Sequence, residues 1–161
     1  QAARLLRDLE RQTDAIQMYR RTLDKKSSPE SNFELANLLN LTGEAAEAIK
    51  HYRVSLQLQP GWVLPANNIA WILSTSKQDN LRDGKEALQI AIHICKVTNN
   101  SIPHFLGTLA AANAEMGNFN EAEKALNRAV LIAREKQDSK LETKFRANMQ
   151  VIKAGMPIRS P

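Results

Sequence analysis

The stretch from Phe33 to Tyr52 reads Phe-Glu-Leu-Ala-Asn-Leu-Leu-Asn-Leu-Thr-Gly-Glu-Ala-Ala-Glu-Ala-Ile-Lys-His-Tyr and continues to Pro60. Two alanines in it, Ala36 and Ala48, stand 12 residues apart on either side of Gly43. Around them Leu35 and Leu39, then Tyr52 and Leu56, recur at i, i+3, i+4 and i+8, the stripe of an amphipathic helix. The stretch therefore reads as two helices, with small residues where they cross and a glycine between them.

The same register extends in both directions. Ala3, Ala36, Ala70 and Ala110 form one series and Ala15, Ala48, Ala87 and Ala122 a second. Ala3 to Ala36 spans 33 residues, Ala36 to Ala70 spans 34, and Ala70 to Ala110 spans 40. The longer spacing carries a five-residue insert within Ser76–Asn80. Tyr19, Tyr52, Ala91 and Leu126 follow the second alanine by four, and Leu23, Leu56, Cys95 and Val130 follow it by eight. Such a period is the mark of a repeat array. It predicts helices near 1–9, 12–25, 29–41, 45–58, 63–75, 81–97, 103–116, 119–136 and 139–154. Ser28-Pro29 and Ser101-Ile102-Pro103 are expected to open helices, with serine as cap and proline in the first turn. Strand patterns of period two are absent.

The unit from Phe33 to Pro60, and a second from Leu109-Ala-Ala-Ala-Asn-Ala-Glu-Met-Gly-Asn-Phe-Asn-Glu-Ala122 to Ala129, resemble the tetratricopeptide repeat (TPR) family. The resemblance covers about residues 1–135. It implies an all-α, right-handed TPR α-solenoid of antiparallel helix pairs. The expected organisation is a TPR array over 1–137, about three and a half pairs with the first truncated, then a C-terminal capping helix and tail over 138–161. The first-helix tryptophan of the family is missing, Asn113 replaces a usual aromatic, and Glu10 stands where Gly43 and Gly117 stand. The segments Asn67-Asn68-Ile69-Ala70-Trp71 and Gly155-x-Pro157-x-Arg159 look similar to C-terminal arrays of larger bacterial multi-repeat proteins, some with a glycosyltransferase-like region upstream. The start at Gln1, directly in a helical pattern, is expected to be a cut from a longer chain.

Composition narrows the function classes. The chain has 161 residues, 43% hydrophobic and 24% charged, which is ordinary for a globular protein. It carries a net charge of +5, with seven basic and four acidic residues in 1–28 and seven and three in 134–161. No basic run or stripe and only 5% aromatics argue against a nucleic-acid platform. No apolar run reaches the roughly 18 residues of a membrane span. Cys95, the single cysteine, excludes an internal disulfide and a thiolate metal cluster. His51, His93 and His104 show no metal-ligand spacing. Glu44, Glu47, Glu121 and Glu123 lie at helix starts, where the dipole favours them. Cys95 falls in the apolar register. There is no P-loop, no GxGxxG and no nucleophile–base pair, so no cofactor, metal site or catalytic activity is expected.

A helix-pair solenoid offers a concave surface lined by its first helices. The resemblance therefore directs attention to Phe33, Asn37, Asn40, Asn67, Asn68, Trp71, His104 and Thr108 as a groove for a protein or peptide partner. Asn37 and Asn68 match asparagines that some TPR proteins place against peptide carboxylates, but the accompanying basic residues are not matched. Asn68 has the alternative of bonding a neighbouring repeat, and Trp71 that of packing between helices. Ser74, Ala111 and Glu115 lie on the same faces. The expected function is a non-catalytic interaction module. A regulatory or docking tail of a larger enzyme and a self-associating scaffold are the rival readings.

Overall fold

The computed structural model describes residues 2–160, with side chains from Arg11 onward. Eight α-helices are present: α1 Ala2–Lys25, α2 Pro29–Leu41, α3 Ala45–Leu58, α4 Val63–Thr75, α5 Gly84–Val97, α6 Pro103–Glu115, α7 Phe119–Glu135 and α8 Ser139–Lys153. A 3₁₀ turn covers Asp79–Leu81. No strand occurs among the described residues. The chain is an all-helical repeat, as its alanine register predicts.

It divides into two compact units, residues 1–66 and 67–161. In the first, α1 packs on α2 and α2 on α3. Ser28 opens α2 by accepting a 3.1 Å bond from the Ser31 amide, and Pro29 occupies the first turn, where its missing N–H costs nothing. Gly43 takes φ +90° past the end of α2 and lets the Glu44 amide reach back to the Leu39 carbonyl at 2.7 Å. Leu35, Ala36, Leu39, Ala48 and Tyr52 form the buried seam.

The second unit repeats this construction. Gly117, at φ +76°, lets the Asn118 amide reach the Asn113 carbonyl at 2.8 Å. Helix α6 packs on α5 and α7, and α7 on α8. Ala110, Ala122, Leu126, Ala129 and Ala133 are almost completely buried at these contacts. Helix α8, expected as a capping helix within 138–161, lies in this second unit against α7. Asp138 caps it, accepting from the Leu141 amide, and Leu141, Phe145, Met149 and Ile152 form its buried side.

Three local expectations need correction. The helices predicted at 1–9 and 12–25 are one continuous α1. Glu10-Arg11-Gln12 holds no glycine to take the left-handed turn made by Gly43 and Gly117, and these residue types favour helix. The predicted truncated helix pair is thus a single helix. The side chains of Ala3, Leu6 and Glu10 lie outside the described residues. Helix α5 begins at Gly84, within a turn of the expected 81, where Asp83 caps it by accepting from the Glu86 amide. Ser101 does not cap α6: its hydroxyl donates to Thr98 O, and Asn99 and Asn100, both at φ +52°, turn the chain first. Finally, residues 156–160 do not trail away. Ile158 is buried, and Ser160 bonds to Thr75 at the end of α4.

Candidate functional site

Asn67, Asn68 and Trp71 occupy one side of α4, spaced i, i+1 and i+4. His104, Gly107 and Thr108 are spaced similarly on α6, and Lys144, Phe145 and Asn148 on α8. Together these nine residues line one cavity of about 230 Å³ in the second unit.

Its floor depends on a glycine. Gly107 has no side chain, and a Cβ there would lie 2.7 Å from Phe145 Cε1. Phe145 fills that space and is buried, with the His104 ring edge-on to it at a centroid distance of 6.5 Å. Trp71 forms a half-buried wall, and Lys144 Nζ sits 5.6 Å from its ring centroid, within cation–π range. Among the described residues that line the cavity, Lys144 is basic and none is a carboxylate. Asn67 Oδ1 is buried and receives no hydrogen bond from the described residues. Such an acceptor costs roughly 1–3 kcal/mol while unpaired.

Five of the eight residues singled out in the sequence meet here: Asn67, Asn68, Trp71, His104 and Thr108. Thr108 contributes little polarity, being buried with its hydroxyl directed at His104 O, 3.3 Å away. Ala111 and Ser74 are also consumed by packing, and the Ser74 hydroxyl donates to Ala70 O. The remaining three lie in the first unit. Phe33 packs in tilted contact with Trp62, at 4.7 Å between ring centroids, and with Tyr52, at 5.9 Å. Asn37 Oδ1 accepts from the Tyr52 hydroxyl at 2.7 Å, which fixes that amide. Asn40 is exposed near the end of α2.

Sequence reasoning missed Lys144, Phe145 and Asn148 because α8 was assigned a capping role. A signal was present. Asn68, Thr108 and Lys144 are each the sixth residue of their helices, so extending the register once more reaches Lys144.

Other chemistry-bearing residues are accounted for locally. His51 Nδ1 lies 2.9 Å from Asn32 Oδ1, and burial pushes its pKa down against the opposing pull of Glu47. Burial pushes the Cys95 thiol up to about 11, which suppresses its thiolate. Glu47 binds Arg20, and Glu121 binds Lys124. A larger cleft of about 390 Å³ between α7 and α8 is flanked by Arg134, Arg146 and Lys153, all engaged with Glu142 or Glu123. Among the described residues, no cluster of three or more His, Cys, Asp or Glu is arranged to hold a metal. No described helix is long and apolar enough to cross a membrane.

Residues 103–136, α6 with α7, match the tetratricopeptide repeat family model. No curated protein matches the chain. The family match and the succession of helix hairpins together fit a TPR array, a fold that in general serves protein–protein interaction and is typically non-catalytic.

Proposed function

We propose that this chain, whose residues 103–136 are a tetratricopeptide repeat within an all-helical array, is a non-catalytic interaction module. Its partner is a peptide segment held in the cavity between α4, α6 and α8. The observation that carries this reading is the lining that α4, α6 and α8 bring together, with Asn68, Trp71 and Lys144 around one cavity. A peptide segment suits that lining. Its backbone bonds the Asn68 amide, an apolar side chain covers Trp71, and a neutral or acidic character suits Lys144. Burying much of an indole supplies a few kcal/mol at most, from roughly 150–250 Å² of surface. Each amide–backbone bond adds a net ~0.5–1.5 kcal/mol.

A displayed random-peptide library panned on the chain tests this. The selected peptide is then titrated against variants. Trp71→Ala should weaken binding most, Asn68→Ala less, and Lys50→Ala, an exposed change on α3, not at all. Helicity by circular dichroism should survive Trp71→Ala, since part of the residue reaches solvent. Equal affinity for Trp71→Ala and the parent would place the partner elsewhere.

A further inference from the structure

Residues 156–160 form a non-helical segment that is bound back onto the protein. Gly155 leaves α8 at φ +71°, and the chain beyond it has no helical structure. Ile158 is 4% exposed. The Ser160 amide donates to Thr75 O at 2.9 Å, and the hydroxyls of Ser160 and Thr75 stand 2.7 Å apart. Arg159 Nη1 donates to Glu115 Oε2 at 2.6 Å, to Ser74 O at 3.3 Å and to its neighbour's carbonyl, Ile158 O, at 3.1 Å.

The receiving surface is built for a cation followed by a donor. The last carbonyls of a helix have no partner within it and carry the negative end of its dipole. At the end of α4, Ile72 O accepts from Ser76 and Leu73 O from Asp83, both main-chain amides. Ser74 O and Thr75 O accept from residues 159 and 160. Glu115 reinforces the choice of a cation. It is the last residue of α6, where the dipole disfavours a carboxylate, and it is only 15% exposed. Its Oε1 is held by Arg82 Nε at 2.9 Å, and Arg82 is itself anchored by Asp79 and Ser76 O. That leaves Oε2 oriented toward the second guanidinium. The bound segment is read at three side chains: an apolar one, an arginine and a small hydroxyl.

We propose that this seat is a recognition site for non-helical segments of the pattern apolar–Arg–Ser. Residues 158–160 are its resident ligand in cis, and a partner segment of the same pattern is its ligand in trans. None of the contacts depends on the peptide being covalently attached to α8. Attachment supplies effective concentration, on the order of millimolar for a short linker, which a competing segment must overcome. The seat uses neither Asn67 nor Trp71, so it stands whether or not the cavity between α4, α6 and α8 binds a peptide.

The test is a chain ending at Gly155, with helicity checked by circular dichroism. It is titrated with the labelled hexapeptide Met-Pro-Ile-Arg-Ser-Pro by fluorescence anisotropy. Saturable one-to-one binding is expected. Replacing the peptide arginine with alanine should weaken it roughly tenfold or more, the range for a hydrogen bond to a charged group. The full chain should bind the hexapeptide far less than the shortened one. If the shortened chain loses its helicity, the full-length Arg159→Ala chain decides, because it keeps Ile158 and weakens only the cis contact. It should take up the hexapeptide more tightly than the parent does. A folded shortened chain that ignores the hexapeptide, equal binding with and without the arginine, or no gain in Arg159→Ala would overturn the proposal.

Discussion

Gly107 and Phe145 approach so closely that a Cβ on the glycine would stand 2.7 Å from the ring atom Cε1. Helix propensity favours Gly107→Ala by about 1 kcal/mol, and overpacking opposes it by about 1–3 kcal/mol. Phe145 is buried and has little room to retreat. The variant should therefore lose about 1 kcal/mol in urea denaturation. A raised midpoint would mean that the α6–α8 contact is looser than the structure has it.

Ala48 and Ala122 are completely buried at their helix crossings. Ala48→Leu and Ala122→Leu should each cost roughly 1–3 kcal/mol. Thermal melts of both variants are the check, and two unchanged melts would contradict the register from which the helix pairs were read.

Cys95 should be a slow thiol. Its pKa of about 11 leaves roughly a hundredfold less thiolate at pH 8 than a thiol at its reference value of 9.0. Burial on the α5 core side adds a steric barrier. Reaction with a disulfide reagent should be at least that much slower for the folded chain than for the chain in denaturant. Comparable rates would show that α5 opens readily.

Glu142 accepts from Arg134 at 3.0 Å and from Arg146 at 2.8 Å, and these hydrogen bonds hold its carboxyl below the ordinary value. A carboxylate depressed in the folded state adds stability that is full above its unfolded pKa and is lost as pH falls through the folded one. The parent should therefore lose melting temperature in mild acid more steeply than Glu142→Gln. Salt should narrow the difference at neutral pH, because all three side chains reach solvent. Parallel pH profiles for the two chains would remove Glu142 from the acid response.

The helix hairpins were legible in the sequence because their signals are local. A periodic alanine and a glycine past a helix end act within a few residues, and Ala36, Gly43, Ala48, Ala110, Gly117 and Ala122 each took the expected role. The break predicted near Glu10 failed for the same local reason, since nothing there can take a left-handed turn. The cavity was half legible. Its α4 and α6 residues sit in the repeat register, whereas Lys144 and Asn148 come from a helix whose apolar side looked like a cap. The seat of residues 158–160 was invisible to periodicity. The Arg159–Glu115 and Ser160–Thr75 contacts span 44 and 85 residues, and only the folded chain brings them together.

The buried oxygen of Asn67 holds stability in reserve. A leucine of similar volume in its place would remove an acceptor that no described residue satisfies. The free chain would then gain up to about 1–3 kcal/mol. The oxygen is closed off from solvent, so the exchange should raise the melting temperature and leave the affinity of a peptide held by Asn68 and Trp71 unchanged. A single interior amide thus leaves this fold short of the stability that its packing could reach.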